Sequence, residues 1–220
     1  MVIKIHIMKT VGSFLVIVFL IFGCSSTKML DSWKNSDYTN YRPNKVLLLG
    51  ITDNLTARIR FEQQLKTELN KRGITAVESN NVFKSTFTNS KQTEEDIQRE
   101  VDRLSDQGFD AILISAVKGV DEKISYSGNM YRTDYYWRRF GHYYYLYQDV
   151  YFDPGYYNKY NIYNVEASLY DLNQTNDKSL VWVGSYGIYD PKTINNTVKD
   201  YVGAIIKSLE NEGIIIKLSK

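Results

Sequence analysis

The chain is 220 residues long, 43% hydrophobic and 24% charged, with 27 Lys+Arg against 25 Asp+Glu and a formal charge of +2. Near-neutral charge excludes electrostatic recruitment to nucleic acid or acidic lipid as the basis of its function. Cys24 is the single cysteine, so disulfides cannot staple the fold.

Residues 11–26 read VGSFLVIVFLIFGCSS. Lys4 and Lys9 precede an apolar run that is short for a membrane span, which takes roughly 20 residues. A basic lead, a short apolar core and a small residue before the cut describe a cleaved export signal. Met8-Lys9-Thr10 offers an alternative start. Ile21-Phe22-Gly23-Cys24 resembles the bacterial lipobox, although Phe22 stands where a small or aliphatic residue is usual. The resemblance implies that Cys24 takes a diacylglycerol, that residues 1–23 are cut away and that the new amine is acylated. No cofactor is expected besides this covalent lipid. One acyl chain holds a membrane marginally, at ~0.8 kcal/mol per buried CH₂, and a triacylated cysteine meets the need for more. Losing Lys4 and Lys9 leaves as many basic as acidic side chains. Ser25 and Ser26 follow the cysteine. By resemblance to enterobacterial sorting, this implies the outer membrane. The lack of an early acidic cluster favours its periplasmic face.

Residues 24–44 include SSTKMLDSWKNSDYTNYRPN after the cysteine. The stretch is polar, with scattered aromatics and no sustained period, and reads as a flexible tether. Residues 45–220 read as one α/β domain. Lys45 to Ile51 is a continuous apolar run suited to a buried strand. Thr52, Asp53 and Asn54 are cap candidates for a helix to about Arg72. Ala57, Phe61, Leu65 and Leu69 form its apolar stripe, widened by Leu55 and Ile59, with Glu62 and Lys66 an i,i+4 ion pair and Gly73 its stop. Residues 74–78 allow a second strand, and residues 80–92 read as loop. Thr93 and Asp96 predict a capping box for a second helix carrying Ile97, Val101 and Leu104. Gly108 ends it, and residues 110–117 form another buried strand. The order β-α-(β)-α-β predicts a largely parallel core.

Residues 126–163 hold 13 of the 19 tyrosines, so the bias belongs to this segment. It reads as an insertion between sheet strands. Beyond it, residues 163–170 alternate and residues 179–189 form the partner strand of an antiparallel hairpin. Asp190 is expected to cap a closing helix with Pro191 at its first position. Ile194, Val198, Val202, Ile205 and Leu209 lie on its apolar face, and Gly213 ends it. The whole is expected to be a two-layer α/β (α+β mixed sheet) fold.

Asp171 to Lys178, followed by Leu180-Val-Trp182-Val-Gly184, resembles a hairpin of bacterial outer-membrane lipoproteins of unknown function. In these a Tyr/Gly-rich stretch precedes the hairpin and a helix follows it. More loosely, the order of elements resembles periplasmic domains of TolB N-terminal type and of curli-secretion lipoproteins. These resemblances imply no catalytic residues.

Chemistry-bearing motifs are sparse. His142 is the one histidine outside the signal, too few for a usual zinc site. No G-x-S-x-G, phosphate loop or H-E-x-x-H occurs. Asp149 and Asp153 are the one acid pair weighed for glycan chemistry. The binding candidates are Tyr135, Tyr136, Trp137, Arg138, Arg139, Tyr143, Tyr144 and Tyr145. Tyr, Trp and Arg concentrate at binding hot spots because they bury large area with few torsions. The expected role is a non-enzymatic, lipid-anchored envelope module that contacts a partner protein. Peptidoglycan or another glycan stacked on the same rings is the alternative, and packing of the rings onto the sheet is the structural one. No nucleic acid is expected.

Overall fold

The computed structural model describes residues 25–84, 87, 90–120, 140–141, 162–174, 179–189, 191 and 193–218. In chain order the elements are β1 (Thr27–Lys34), β2 (Lys45–Ile51), α1 (Leu55–Asn70), β3 (Thr75–Glu78), α2 (Glu94–Asp106), β4 (Ala111–Val120), β5 (Ile162–Asp171), β6 (Leu180–Tyr189) and α3 (Ile194–Asn211). A short 3₁₀ turn, Ser79–Asn81, follows β3. The six strands form one mixed sheet in the order β1-β6-β5-β4-β2-β3. β3 and β4 flank β2 in parallel, and the remaining pairs are antiparallel.

The α/β class expected from the sequence is the one that forms. β2 is buried on both faces, so its residues divide between two clusters. Val46 and Leu48 join Phe61, Leu65 and Leu69 of α1 and Val202, Ile205 and Leu209 of α3. Leu47, Leu49 and Ile51 join Ile97 and Leu104 of α2, with Phe83 and Phe87. The expected two layers are therefore the sheet and the α1–α3 pair. The opposite face carries a thinner cover built on α2. Two crossovers of one hand from β2, first outward to β3 and then back across to β4, put their helices on opposite faces.

Local signals set the element ends. Asn54 Oδ1 accepts from Ala57 N at 2.9 Å. Thr93 Oγ1 accepts from Asp96 N at 3.1 Å while Asp96 reaches back to Thr93 N, a complete capping box. Gly73, Gly108 and Gly213 follow the three helices at φ 78°, 78° and 69°, the left-handed stop that glycine takes without strain. α3 differs from expectation. Its cap is Thr193, whose Oγ1 accepts from Asn196 N, and the helix begins at Ile194. Pro191 thus precedes the helix. Gly184 has a packing role: an added Cβ would lie 2.7 Å from both the Trp182 ring and the Tyr186 hydroxyl.

The flexible-tether reading is corrected. Thr27–Lys34 is an edge strand paired along its length with β6. Its register shifts between Met29 and Asp31. A bulge there breaks the period of two that would have marked a strand in the sequence. Residues 35–44 are also held. Asn35 N donates to Val181 O at 2.9 Å, and Asn44 N to Asp110 Oδ2 at 2.8 Å. Tyr38 and Tyr41 stack edge to face, 5.1 Å apart, and pack on the first cluster.

The Glu62–Lys66 pair is corrected too. Lys66 Nζ instead binds Glu78 Oε2 at 2.7 Å. Glu62 is fully buried. It accepts from Gly50 N and Ser79 N, each at 3.0 Å, and from Ser79 Oγ at 2.8 Å. Its carboxylate thus ties α1 to the end of β2 and the turn after β3.

Candidate functional site

Strand directions decide what meets at each end of the sheet. β2, β4 and β6 run the same way, and β1 and β5 oppose them. One pole therefore gathers the C-terminal ends of β2, β4 and β6 with the first residues of β1 and β5. The helices α1 and α3, which follow β2 and β6, begin there. In open α/β sheets, ligands bind outside the carboxyl ends of strands where successive connections leave in opposite directions. β2, between β3 and β4, is such a position.

A crevice of about 710 Å³ lies at this pole. Its rim carries Thr52, Asp53, Asn54, Thr193 and Thr197, and its walls Val117, Val165, Ile188 and Val198. The rim is ordered by its own bonds. Thr52 Oγ1 accepts from Asn54 N at 3.3 Å and donates to Asp53 Oδ1 at 3.4 Å. A smaller hollow of about 120 Å³, sharing several of these walls, is lined by Ser115 and Tyr201. Their hydroxyls are 2.8 Å apart, and burial holds the Tyr201 phenol protonated far beyond its usual range. The arrangement is a polar mouth over an apolar floor. Such a shape orients a ligand by hydrogen bonds and holds it by apolar contact.

Tyr135, Tyr136, Trp137, Arg138, Arg139, Tyr143, Tyr144 and Tyr145 lie outside the described residues, as do Cys24, His142, Asp149 and Asp153. From the central part of the insertion, Phe140 and Gly141 are described. Phe140 is buried in the α2-side cluster, edge-on to Tyr170 at 5.9 Å. The insertion's stems are described as well. Val120 pairs with Tyr163, and Val117 and Tyr163 both line the crevice. The insertion thus begins and ends at the crevice wall. Sequence reasoning missed the crevice because its rim consists of helix-cap residues, each explained locally by capping. The available signal was the β-α-β-α-β order, which predicts a switch point next to Thr52.

Among the described residues, no group of three His, Cys, Asp or Glu side chains is placed to hold a metal ion. No described helix is long and apolar enough to cross a membrane.

No family model matches the chain, and no curated protein matches its sequence. Among solved structures, it is similar to the PelC dodecamer from Paraburkholderia phytofirmans, at 10% identity and TM-score 0.42, over 84% of this chain and 96% of that one. A point variant of the same PelC dodecamer matches at 12% identity and TM-score 0.41, over 87% and 99%. Lipoprotein GNA1162 from Neisseria meningitidis matches at 14% identity and TM-score 0.39, over 77% and 99%. These three matches give no support to the looser likeness to TolB N-terminal and curli-secretion domains.

Proposed function

We propose that this chain is a lipid-anchored accessory or assembly module of the bacterial envelope, held on the periplasmic face of the outer membrane by Cys24. It binds a partner protein and performs no catalysis. The observation that supports this reading is the setting of the insertion. β4 and β5 stay paired up to Val120 and Tyr163, so the residues between these two, which hold 12 of the 19 tyrosines, leave and re-enter the sheet at adjacent strand ends beside an open crevice. An aromatic and arginine-rich segment mounted on a rigid sheet suits a contact surface, because the scaffold bears the ordering cost. A second reading has its own support: the crevice combines hydroxyl and amide groups with an apolar floor, which suits a sugar ring. Peptidoglycan or another envelope glycan is then the ligand.

In-cell crosslinking with mass spectrometry tests both. The wild type is compared with a variant in which residues 131–160 are replaced by a Gly/Ser loop. Envelope proteins captured by the wild type, and lost from a variant that keeps its thermal transition, support the partner reading. Unchanged captures, or a variant that no longer folds, show that the tyrosines serve packing and sink it. Pelleting of the purified domain with insoluble peptidoglycan favours the glycan reading instead.

A further inference from the structure

The first described residues and the crevice share one pole, and this constrains how the domain sits on its membrane. Ser26 is held by two backbone bonds. Its carbonyl accepts from Tyr189 N at 2.8 Å, and its N–H donates to Asp200 Oδ2 at 2.9 Å. Thr27 follows as the first residue of β1, paired with Ile188. Ser25 alone separates this fixed point from Cys24. Three extended residues reach ~10 Å, so a lipid on Cys24 brings the bilayer surface within about that distance of Thr27.

The same pole exposes apolar side chains without cover among the described residues. Leu55 and Ile194, the first residues of α1 and α3, are 57% and 37% exposed. Both line the crevice mouth. Met29 and Leu30, at the bulge of β1, are 40% and 46% exposed. The sequence places both on the apolar stripes of their helices; the structure instead leaves each outside the core, exposed at the first position of a helix that begins at the anchored pole.

We propose that this pole seats directly on the lipid surface, with Leu55 and Ile194 inserted at the headgroup–acyl boundary and the crevice mouth facing the bilayer. The inference rests on lipidation of Cys24. The domain is then fixed in orientation rather than swinging on a leash, a ligand of the crevice enters from the membrane side, and the crevice is closed to peptidoglycan.

The test uses the full mature lipoprotein in phosphatidylcholine vesicles. With Cys24 blocked by its lipid, an introduced cysteine is the one free thiol. An environment-sensitive fluorophore is attached in Leu55→Cys, Ile194→Cys and, at the opposite pole, Gln107→Cys. All three sites are exposed, so the substitutions leave the core untouched, and either pole site suffices. Nitroxide-bearing lipid is expected to quench the labels at 55 and 194 by about twofold or more, as for side chains buried ~5–10 Å into the interface, and to leave the label at 107 unchanged. If the protein floats with the vesicles but the pole labels respond no more than the one at 107, the seated orientation is overturned and the anchor stands. If it does not float and carries no lipid mass, the anchor reading falls and takes this inference with it.

Discussion

Glu62 brings a carboxylate into a fully buried position and surrounds it with donors from Gly50 and Ser79. Burial pushes its pKa above the ordinary carboxyl value, and the N–H and O–H donors pull against that without reversing it. Between the ordinary pKa and the raised one, the native state binds more proton than the unfolded chain. Its contribution to stability is therefore full below the ordinary pKa and is lost as pH rises through the raised one. Glu62→Gln is expected to remove that slope. It turns an amide nitrogen toward one of the backbone N–H donors, and the unmet bond costs about 1–3 kcal/mol. Urea unfolding of both chains across a pH series checks slope and offset together. An unchanged midpoint would show that the carboxylate contributes nothing. The sequence contained a hint of this role. Glu62, Leu65 and Leu69 share the three-four spacing of a helix face, yet a glutamate four residues before a lysine reads first as a surface pair. Only the approach of β2 and the turn after β3 makes Glu62 internal.

At the scale of elements, α1 and α3 form one helical layer, and a charged contact joins their ends. Arg72, just past α1, donates from Nε and Nη2 to one oxygen of Glu210 of α3, Oε1, at 3.0 and 2.8 Å and also binds Glu68 at 2.9 Å. Its side chain is only 7% exposed and that of Glu210 is 12%. A pair this sheltered differs from a surface bridge, because removing one partner strands the other charge away from water. Arg72→Ala is expected to lower stability by about 3 kcal/mol. Adding Glu210→Ala should then cost little more, the coupling that a double-mutant cycle reads. Independent effects of the two changes would mean that solvent already screens the contact. The helices themselves were legible in the sequence, because apolar stripes, caps and stop glycines are local features. Their pairing was not: nothing in residues 55–73 points to residues 194–213, which are neighbours only because β5 and β6 fold back toward β2.

At the scale of the molecule, β1 decides whether the domain hangs from its lipid or is fastened to it. A chain beginning at Ser36 lacks the strand and leaves the β6 edge open. Its unfolding midpoint is expected to fall by roughly 10 °C, with increased self-association through the uncovered edge. A midpoint equal to that of the chain beginning at Ser25 would restore the tether. Differential scanning calorimetry of the two proteins gives the answer. The same strand carries the polarity of the whole molecule, because its first residue lies at the pole where α1 and α3 begin and where β4 and β5 reach the insertion.

The sequence by itself determined the class, the order of β2 through α3, most of the helix ends and the hairpin of β5 and β6. Periodicity, capping and turn chemistry act over a few residues, and each of those features can be read within one turn or one strand. Tertiary structure alone decided three things: the buried role of Glu62, the strand made by residues 27–34, and the gathering of chain start, crevice and insertion stems at one pole. The first depends on two backbone donors brought from distant segments. The second is an edge strand whose bulge breaks its own pattern and whose partner residues lie 148 to 161 positions further along the chain. The third follows from the strand order, which is set by long-range pairing and leaves no mark on any single stretch of sequence.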